Sequence, residues 1–438
     1  MLDIKYIELH KKEVKKNCEL RNIQCDVKRL LELNEKRKRL LRNVENLNAQ
    51  KNSLNDEIKS VPASQKPDII ERGKIVKEQL SEKEPELKRI KEEFRKLLAQ
   101  VPNVTHPDSP VGKDESENQV IRKNGEPTKF DFEPKDHMNL GEALDIIDTK
   151  TAAQVSGSRF NYIKGEAVLL QFAIIQFTFD VLTNEKIITE LAKKVGNSSG
   201  KPFTPIIPPM IVKADVMEKM DRFEPIEDRY YFKEDDALLV GSAEHSLGPM
   251  FMNTTIDEKE LPLRFVGYST AFRREAGTYG KDTHGIFRCH QFDKLELEIF
   301  SVPEKGESEQ DLIVAIQEYL IEKLKIPYQV VAICTGDMGK PDYRQIDIEC
   351  WLAGQNKYRE THTSDYMTDF QARRLNTKVK RTDSSVELVH MNDATAFAIG
   401  RILIAIIENY QQKDGSVLIP EALQKYMPGG IKKIERGE

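Results

Sequence analysis

Two long stripes of apolar residues with helical spacing dominate the first hundred residues of the chain. In the first stripe leucine returns every seven residues, at Leu33, Leu40, Leu47 and Leu54. A second stripe, which steps by four and three, runs from residue 69 to residue 101, after a break that contains Pro62 and Pro67. A repeat of seven is typical of a helix that packs along one narrow seam. The two stripes therefore predict an antiparallel coiled-coil hairpin over about residues 27–100.

The charge of the chain is unevenly distributed. The formal net charge is −5 over 438 residues, yet residues 28–96 hold 19 Lys or Arg against 13 Asp or Glu. A basic element on an acidic body is expected where only part of a surface meets phosphates. The strongest basic cluster consists of Lys36, Arg37, Lys38, Arg39 and Arg42. Contact with nucleic acid is one interpretation of this cluster, and a solvated helix face is the other.

The composition predicts three regions. Residues 1–101 form an N-terminal domain that includes the helical hairpin, and residues 102–134 are rich in Pro, Asn, Asp, Ser and Gly, which is typical of a linker. Residues 135–438 are long enough to form a second domain with a large core.

Neither a membrane span nor a disulfide framework is expected. The most apolar run, residues 167–182, is short and is interrupted by Gln171, Gln176 and Asp180. The N-terminus, MLDIKYIELHKKEVKK, does not resemble a secretory signal. The five cysteines are odd in number and include no CxxC pair. These features predict a protein of the reducing cytoplasm.

Residues 272–296, FRREAGTYGKDTHGIFRCHQFDKLE, have the pattern of two strands joined by a loop. Three glycines mark the loop: Gly277, Gly280 and Gly285. Arg273 and Arg288 lie near opposite ends of the loop, where forked donors can bind phosphate oxygens, and Glu275 and Glu296 provide acceptors on the strands. On these residues alone, a charged surface hairpin is an equally good interpretation.

Three further segments carry candidate functional groups. The segment LVGSAE ends in Glu244, whose carboxylate could receive an ammonium group. Glu360 and Thr363 have the oxygen ligands that a hard cation prefers, although composition alone favours structural hydrogen bonds there. Arg401 lies near the start of an apolar helix and needs an anion, which a structural salt bridge would also supply.

The hairpin resembles motif 2 of the class II aminoacyl-tRNA synthetases, in the form found in seryl-tRNA synthetases. The residues of the hairpin match the pattern F-R-x-E-A-G-x-x-G-x-D-T-x-G followed by R-x-H-Q-F-x-K-x-E. The resemblance implies an α+β fold: a long antiparallel coiled-coil arm followed by a class II catalytic domain, whose antiparallel sheet is flanked by helices. It assigns residues 165–182 and 202–212 to motif 1 and the dimer interface, although an ordinary core helix beside an irregular strand fits these residues equally well.

The same resemblance assigns residues 390–401, HMNDATAFAIGR, to motif 3. The commonest form of this motif is L-N-G-S-G-L-A-x-G-R, so this chain departs from it around Asp393 and Ala394. An alignment without gaps places Thr395 at the position of the family's hydroxyl-recognising residue.

The resemblance also implies roles for individual residues. ATP would be bound by Arg273, Glu275, Arg288, Phe292, Glu360, Thr361, His362, Thr363 and Arg401, with Arg273 and Arg401 as the catalytic pair. Serine would be bound by Ser242, Ala243, Glu244, Arg273, Glu296 and Thr395. Mg2+ would be held by Glu360 and Thr363, and tRNA by Lys36, Arg37, Lys38, Arg39 and Arg42.

The implied activity is ATP-dependent formation of seryl-adenylate and transfer of serine to the 3′ end of tRNA(Ser), with tRNA(Sec) as a further candidate. A cytoplasmic homodimer that binds tRNA across its subunits is expected. One alternative is a ligase that loads serine or another small amino acid on a carrier protein, and the basic arm argues against it. A second alternative is a catalytically silent binding module, and the joint presence of Arg273, Glu275, Glu296, Glu360 and Arg401 argues against that.

Overall fold

A computed structural model describes residues 1–276 and 285–436. Gly277 and Gly280 of the predicted loop lie outside these described residues. The chain divides into two compact units, Met1–Val104 and Thr105–Glu438. The helices are α1 (Ile4–Leu9), α2 (Lys11–Leu20), α3 (Val27–Ser60), α4 (Lys66–Gln100), α5 (His137–Ala143), α6 (Thr149–Ser156), α7 (Glu166–Leu182), α8 (Glu185–Lys194), α9 (Ala214–Met220), α10 (Glu244–Leu247), α11 (Gly306–Lys323), α12 (Phe370–Leu375), α13 (Ile399–Asn409) and α14 (Glu421–Gln424).

The strands form one large sheet and several small ones. They are β1 (Gln119–Asn124), β2 (Ile147–Asp148), β3 (Tyr162–Ile163), β4 (Thr204–Ile206), β5 (Ile211–Lys213), β6 (Tyr231–Phe232), β7 (Ala237–Leu239), β8 (Thr255–Asp257), β9 (Leu263–Phe272), β10 (Gln291–Ser301), β11 (Tyr328–Ala332), β12 (Arg344–Leu352), β13 (Lys357–Thr368), β14 (Lys378–Lys380), β15 (Val386–Leu388), β16 (His390–Ala398), β17 (Val417–Leu418) and β18 (Lys433–Ile434).

The first unit contains the predicted helical hairpin, in which α3 packs along α4. The side chain of Asp26 caps α3 by accepting from the backbone N–H of Arg29 at 2.8 Å. All four leucines of the seven-residue repeat are buried against the second stripe. The repeat therefore predicted the packing seam of the arm correctly.

The second unit is built on an eight-stranded sheet with the order β1-β11-β12-β13-β16-β10-β9-β4. Its neighbouring strands are antiparallel, except that β4 runs parallel to β9 at one edge. The predicted hairpin is present, since β9 pairs with β10 from Phe272 and Gln291 onward. The segment 102–134 is not irregular throughout, because it contains β1 at the other edge of the sheet.

Apolar helices cover one part of this sheet. Helix α11 packs on β13 and β16, α13 packs on β10 and β12, and α7 packs on α13. Their Ile, Leu and Val side chains form the largest buried cluster, because a helix that is apolar around most of its surface must be enclosed. This packing fixes the three strands that carry the site described below: β10, β13 and β16.

No single helix in the described part of the chain is long and apolar enough to cross a membrane. The bent pair of α7 and α8, which meet at 69°, passes the test of length and composition only when the two are taken together.

Candidate active site

One cavity of about 720 Å³ lies over β10, β13 and β16 and brings together charged side chains that are far apart in the sequence. It extends from the hairpin of β9 and β10 to the start of α13. Its lining includes Arg222, Arg229, Glu244, His245, Arg273, Glu275, Phe287, Arg288, Cys289, Phe292, Lys294, Glu296, Glu360, Thr361, Thr363, Asp365, Asp393, Thr395, Gly400 and Arg401.

At one end of the cavity, the first turn of α13 meets β13. Arg401 donates to Glu360 Oε1 at 2.6 Å and to the Glu360 carbonyl oxygen at 3.0 Å. Its guanidinium lies 4.7 Å from the centre of the Phe287 ring. Burial opposes ionisation of Glu360, but the charge and hydrogen bond of Arg401, together with the charges of Arg273 and Arg288, outweigh burial and lower the pKa of the carboxyl. At Gly400, a Cβ would come within 2.9 Å of the Ile286 carbonyl oxygen, so this turn requires glycine.

The ends of the β9–β10 hairpin line the middle of the cavity. Arg273 donates to the Gly241 carbonyl oxygen at 3.0 Å, and its guanidinium lies 5.4 Å from the centre of the Phe292 ring. Arg288 donates to Glu275 Oε2 at 2.7 Å. Glu275 follows the end of β9 and has a positive φ of 51°. The expected strand position of Glu275 is therefore wrong, since the chain turns there before the loop.

The other end of the cavity holds three carboxylates and two cations. Oxygen atoms of Glu244, Glu296 and Asp393 lie within 4.8 Å of one another. Lys294 Nζ lies 2.5 Å from Glu296 Oε2, and Arg222 donates to Glu244 Oε1. Burial favours the neutral form of Glu244, but Arg222, His245 and Lys294 together outweigh burial and hold the pKa of that carboxyl at about 2. This end of the cavity thus presents a fixed anion beside buried cations.

A row of carboxylates continues from this end across the sheet. Glu298 on β10 lies opposite Asp393 on β16, and Asp393 lies opposite Asp365 on β13. Burial, reinforced by the neighbouring acids, raises the pKa of all three carboxyls well above their usual range. Neither carboxyl oxygen of Glu298 has a hydrogen-bond partner among the described residues.

Known proteins resemble this chain over its full length. Residues 1–105 match the seryl-tRNA synthetase N-terminal domain, and residues 228–410 match the tRNA synthetase class II core domain (G, H, P, S and T). The serine--tRNA ligase of Dictyoglomus turgidum is 39% identical over 440 residues, which cover 99% of both chains. The chain belongs to the seryl-tRNA synthetase family. The family and the fold inferred from the motifs are confirmed.

Solved structures of this family agree. Seryl-tRNA synthetase from Pyrococcus horikoshii complexed with ATP is 36% identical and superposes with a TM-score of 0.86 over 100% of both chains. Cytoplasmic serine-tRNA ligase from Naegleria fowleri in complex with AMP is 28% identical, with a TM-score of 0.80 over 98% of this chain and 96% of the other.

Most of the residues that the family motifs singled out line the cavity. Those that do are Glu244, Arg273, Glu275, Arg288, Phe292, Glu296, Glu360, Thr361, Thr363, Thr395 and Arg401. Three predicted residues do not belong to the described lining: Ser242, Ala243 and His362. Ser242 is buried behind it and accepts from Lys294 Nζ at 3.3 Å, and Ala243 is buried at the start of α10. His362 is also buried, with its ring 5.2 Å from that of Phe397.

The motifs did not assign roles to several charged residues of the cavity. Lys294 is part of the motif 2 pattern but has no assigned role, and Asp393 is a departure from the motif 3 pattern. Arg222 and Asp365 carry no motif signal. Asp365 joins the site through the register of β13 and β16, and Arg222 joins it from the loop after α9.

The five basic residues predicted to bind tRNA fall into two groups. Lys36 forms an ion pair with Glu86 of α4 at 2.7 Å, and Lys38 forms one with Glu8 at 2.7 Å. Arg37 donates to Asn34 Oδ1 and lies over the Phe94 ring. Arg39 and Arg42 are exposed. Arg39 also lines a groove of about 810 Å³, whose charged residues are Lys11, Lys12, Lys15, Lys28, Glu32, Glu35 and Lys36. The basic cluster of the sequence does not include the lysines of α2.

Proposed function

We propose that this chain activates L-serine with ATP to seryl-adenylate and transfers serine to the 3′ end of tRNA(Ser). One observation carries the proposal: a single cavity has a cationic middle at Arg273 and Arg288 and an anionic end at Glu244 and Glu296. Such a cavity suits a polyphosphate and an amino acid bound side by side. The relative from Dictyoglomus turgidum is a serine--tRNA ligase, and the seryl-tRNA synthetase from Pyrococcus horikoshii was crystallised with ATP.

In the proposed ATP site, Glu275 meets the adenine amino group and Phe292 stacks on the ring. Arg273 holds the α-phosphate, and Arg288 holds the outer phosphates. Arg401 would exchange its contact with Glu360 for phosphate or substrate oxygens, since both kinds of partner suit its planar guanidinium. Thr361 and Thr363 complete the wall, while the buried His362 would act only through packing.

In the proposed serine site, Glu244 receives the ammonium group, and Glu296 with Thr395 receives the hydroxyl. Thr395 lies directly opposite Glu296 on the neighbouring strand, so the two side chains share one face of the sheet. One oxygen from each of Glu244, Glu296 and Asp393 lies within 4.8 Å of the other two, so a group that donates several hydrogen bonds finds acceptors in one place. We assign that place to the ammonium group of serine, with Ser242 and Ala243 supporting the turn from behind.

The reaction needs no covalent enzyme intermediate. A serine carboxylate oxygen forms a bond with the α-phosphorus of ATP, and the bond from that phosphorus to pyrophosphate breaks. Cys289 lines the cavity, but burial raises the pKa of its thiol to about 11, which makes it a poor nucleophile. The protein would therefore act by positioning the substrates and stabilising the charge that develops on phosphate.

Glu360 and Thr363 are suited to Mg2+. Both line the cavity with oxygen donors, and the lowered pKa of Glu360 keeps its carboxyl ionised. Bound there, Mg2+ would neutralise charge on the ATP phosphates.

The N-terminal unit is proposed to bind tRNA through Arg39, Arg42 and the lysine-lined groove. Lys36, Arg37 and Lys38 would contribute charge while holding the arm together. The proposed domains are residues 1–101 for tRNA binding and residues 135–438 for catalysis, with residues 102–134 between them. Such contacts would read phosphates and shape rather than bases. Whether tRNA(Sec) is also charged stays a prediction.

A cytoplasmic homodimer with tRNA bound across its subunits completes the proposal. In the motif 1 segment, Ile207 lies between β4 and β5 and is 82% exposed. Ile211 begins β5 and is 58% exposed. Met210 between them is also exposed, and a contiguous run of exposed apolar side chains is typical of an interface. The cytoplasmic location agrees with cysteines that are all free thiols.

The test is serine-dependent exchange of pyrophosphate into ATP by the purified full-length chain, compared across the standard amino acids. Exchange with serine and charging of tRNA(Ser) are expected. Exchange with another amino acid instead, or acylation of a carrier protein but not of tRNA, would favour the carrier ligase. Absence of exchange with every amino acid would favour a silent module.

A further inference from the structure

Arg222 links two carboxylates at the anionic end of the cavity. It follows α9 and reaches Glu244 on α10, to which it donates through Nε. Its terminal nitrogen lies 3.7 Å from Asp393 Oδ2 on β16. The Arg222 side chain is only 19% exposed, while those of Glu244 and Asp393 are 9% and 3% exposed. A cation held between two buried acids fixes the position of both.

Asp393 is the residue that makes this arrangement unusual. The motif 3 pattern has asparagine at the position where this chain has Asp393. The aspartate adds a third carboxylate to Glu244 and Glu296, all within 4.8 Å. An acid added to such a group costs free energy unless it keeps its proton or meets a cation. Burial favours the proton on Asp393, and Arg222 is the cation in contact with it.

We infer that Arg222 is a positioning residue for the amino-acid substrate, which holds the Glu244 carboxylate in place for the ammonium group and ties it to Asp393. The inference deepens the proposed function and rests on it. Arg222 acts through Glu244 and does not itself take part in the reaction. The pair of Arg222 and Asp393 thereby sets the affinity for serine without altering the ATP site.

The ionisation of Glu244 gives this inference a pH signature. The titratable groups around Glu244 and its neighbours Arg222 and His245 come from several elements: Arg229, Arg273, Lys294, Glu296, Glu298, Asp342, Asp365 and Asp393. Burial lowers the pKa of His245 to about 3, so that ring stays neutral near neutral pH. Without Arg222, burial and the acids on β10 and β16 would raise the pKa of Glu244. The carboxyl would then take up a proton as the pH falls and would bind the ammonium group less well.

The experiment measures pyrophosphate exchange by the full-length chain with serine and ATP varied separately. The variants are Arg222→Gln, Arg222→Lys, Asp393→Asn and the double variant R222Q/D393N. Arg122→Gln is the matched control, because Arg122 is a surface arginine that pairs with Glu318 at 2.6 Å, outside the cavity. Thermal melting shows that each variant is folded.

For R222Q we expect KM for serine to rise at least about tenfold, with KM for ATP within about twofold of wild type. This rise in KM for serine should be larger at about pH 6 than at about pH 8. In the wild-type protein Glu244 should cause no such change of KM with pH. R222K should recover most of the affinity. R222Q/D393N should recover at least about threefold relative to R222Q, because Glu244 then no longer competes for ionisation with the acid at position 393.

The outcomes distinguish failure of the proposed function from failure of the role assigned to Arg222. If wild type fails to exchange with serine, the proposed function itself is wrong. If wild type exchanges but R222Q keeps a wild-type KM for serine, the inference is overturned. It is also overturned if R222Q and R222Q/D393N are equally impaired at both pH values, since a purely structural arginine would not be rescued by removal of Asp393.

Discussion

Arg401 in the first turn of α13 donates to the Glu360 carboxylate of β13 at 2.6 Å. This hydrogen bond joins Arg401, which is expected to bind phosphate, to Glu360, which is expected to bind Mg2+. A half-buried arginine is stabilised by an anion, and Glu360 supplies one in the absence of substrate. Binding of ATP would therefore exchange one partner of Arg401 for another at little cost in desolvation.

Replacement of Arg401 by Ala should reduce pyrophosphate exchange by about a thousandfold or more, because the charge developing at phosphorus would lose a preorganised donor. Steady-state exchange kinetics measure the effect. Arg359→Ala is the matched control, since Arg359 also lies over the Phe287 ring, at 3.9 Å, but is not part of the described cavity lining. Near-normal exchange by R401A would show that the motif 3 assignment is wrong.

Thr395 and Glu296 should determine the preference for serine over alanine. Thr395→Val keeps the volume of the side chain but removes its hydroxyl, which lies opposite Glu296. We expect a loss of about tenfold to a hundredfold in kcat/KM for serine, a much smaller change for alanine, and an unchanged KM for ATP. Exchange rates with the two amino acids measure this ratio. An unaltered ratio of the two rates would place the hydroxyl site elsewhere.

The leucine repeat predicted the helical arm, and the motifs predicted residues of the cavity. A coiled-coil seam is a local property of sequence spacing, so the burial of Leu33 and Leu54 followed directly from the repeat. Motif residues such as Arg273 were found because the pattern is long. Asp365 could not be found in this way, because its place beside Asp393 depends on the pairing of two strands whose register no local pattern specifies.

Arg222 is a second site residue that the sequence could not identify. It stands in a loop, and nothing in DRFEPIED marks it as a partner of Glu244. Only the fold brings the end of α9 over the start of α10. Asp393 departs from the motif 3 pattern, which indicates that the pocket differs from that of the commonest family members. The departure does not identify Arg222 as the cation that contacts Asp393.

Glu298 should make stability depend on pH. Burial is the main reason that its pKa lies well above the usual range, so the folded protein keeps a proton that the unfolded chain releases above about pH 4. The contribution of Glu298 to stability is therefore greatest at low pH and falls as the pH rises towards the folded pKa. Glu298→Gln should raise the melting temperature at about pH 8 more than at about pH 5. Melting curves at both pH values test this, and equal shifts would contradict it.

The exposed isoleucines of motif 1 should hold the dimer together. Ile207→Glu would place a charge in the proposed apolar interface and should shift the protein to monomers, as measured by size-exclusion chromatography with light scattering. Ile75→Glu is the matched control, because Ile75 is also exposed, at 49%, but lies on α4 of the arm. A wild-type protein that is already monomeric, or an I207E variant that remains dimeric, would contradict the assignment of this interface.

The arm should be needed for tRNA charging but not for serine activation. Charge reversal of the two exposed arginines, R39E/R42E, should raise KM for tRNA(Ser) at least about tenfold and leave pyrophosphate exchange unchanged, because phosphate contacts add electrostatic affinity only for the nucleic acid. The effect should diminish as salt is added. The double reversal K51E/K59E near the end of α3 provides a control of equal charge change. Deletion of residues 30–98 should abolish charging and spare exchange. If charging survived that deletion, the arm would have a different function in this chain.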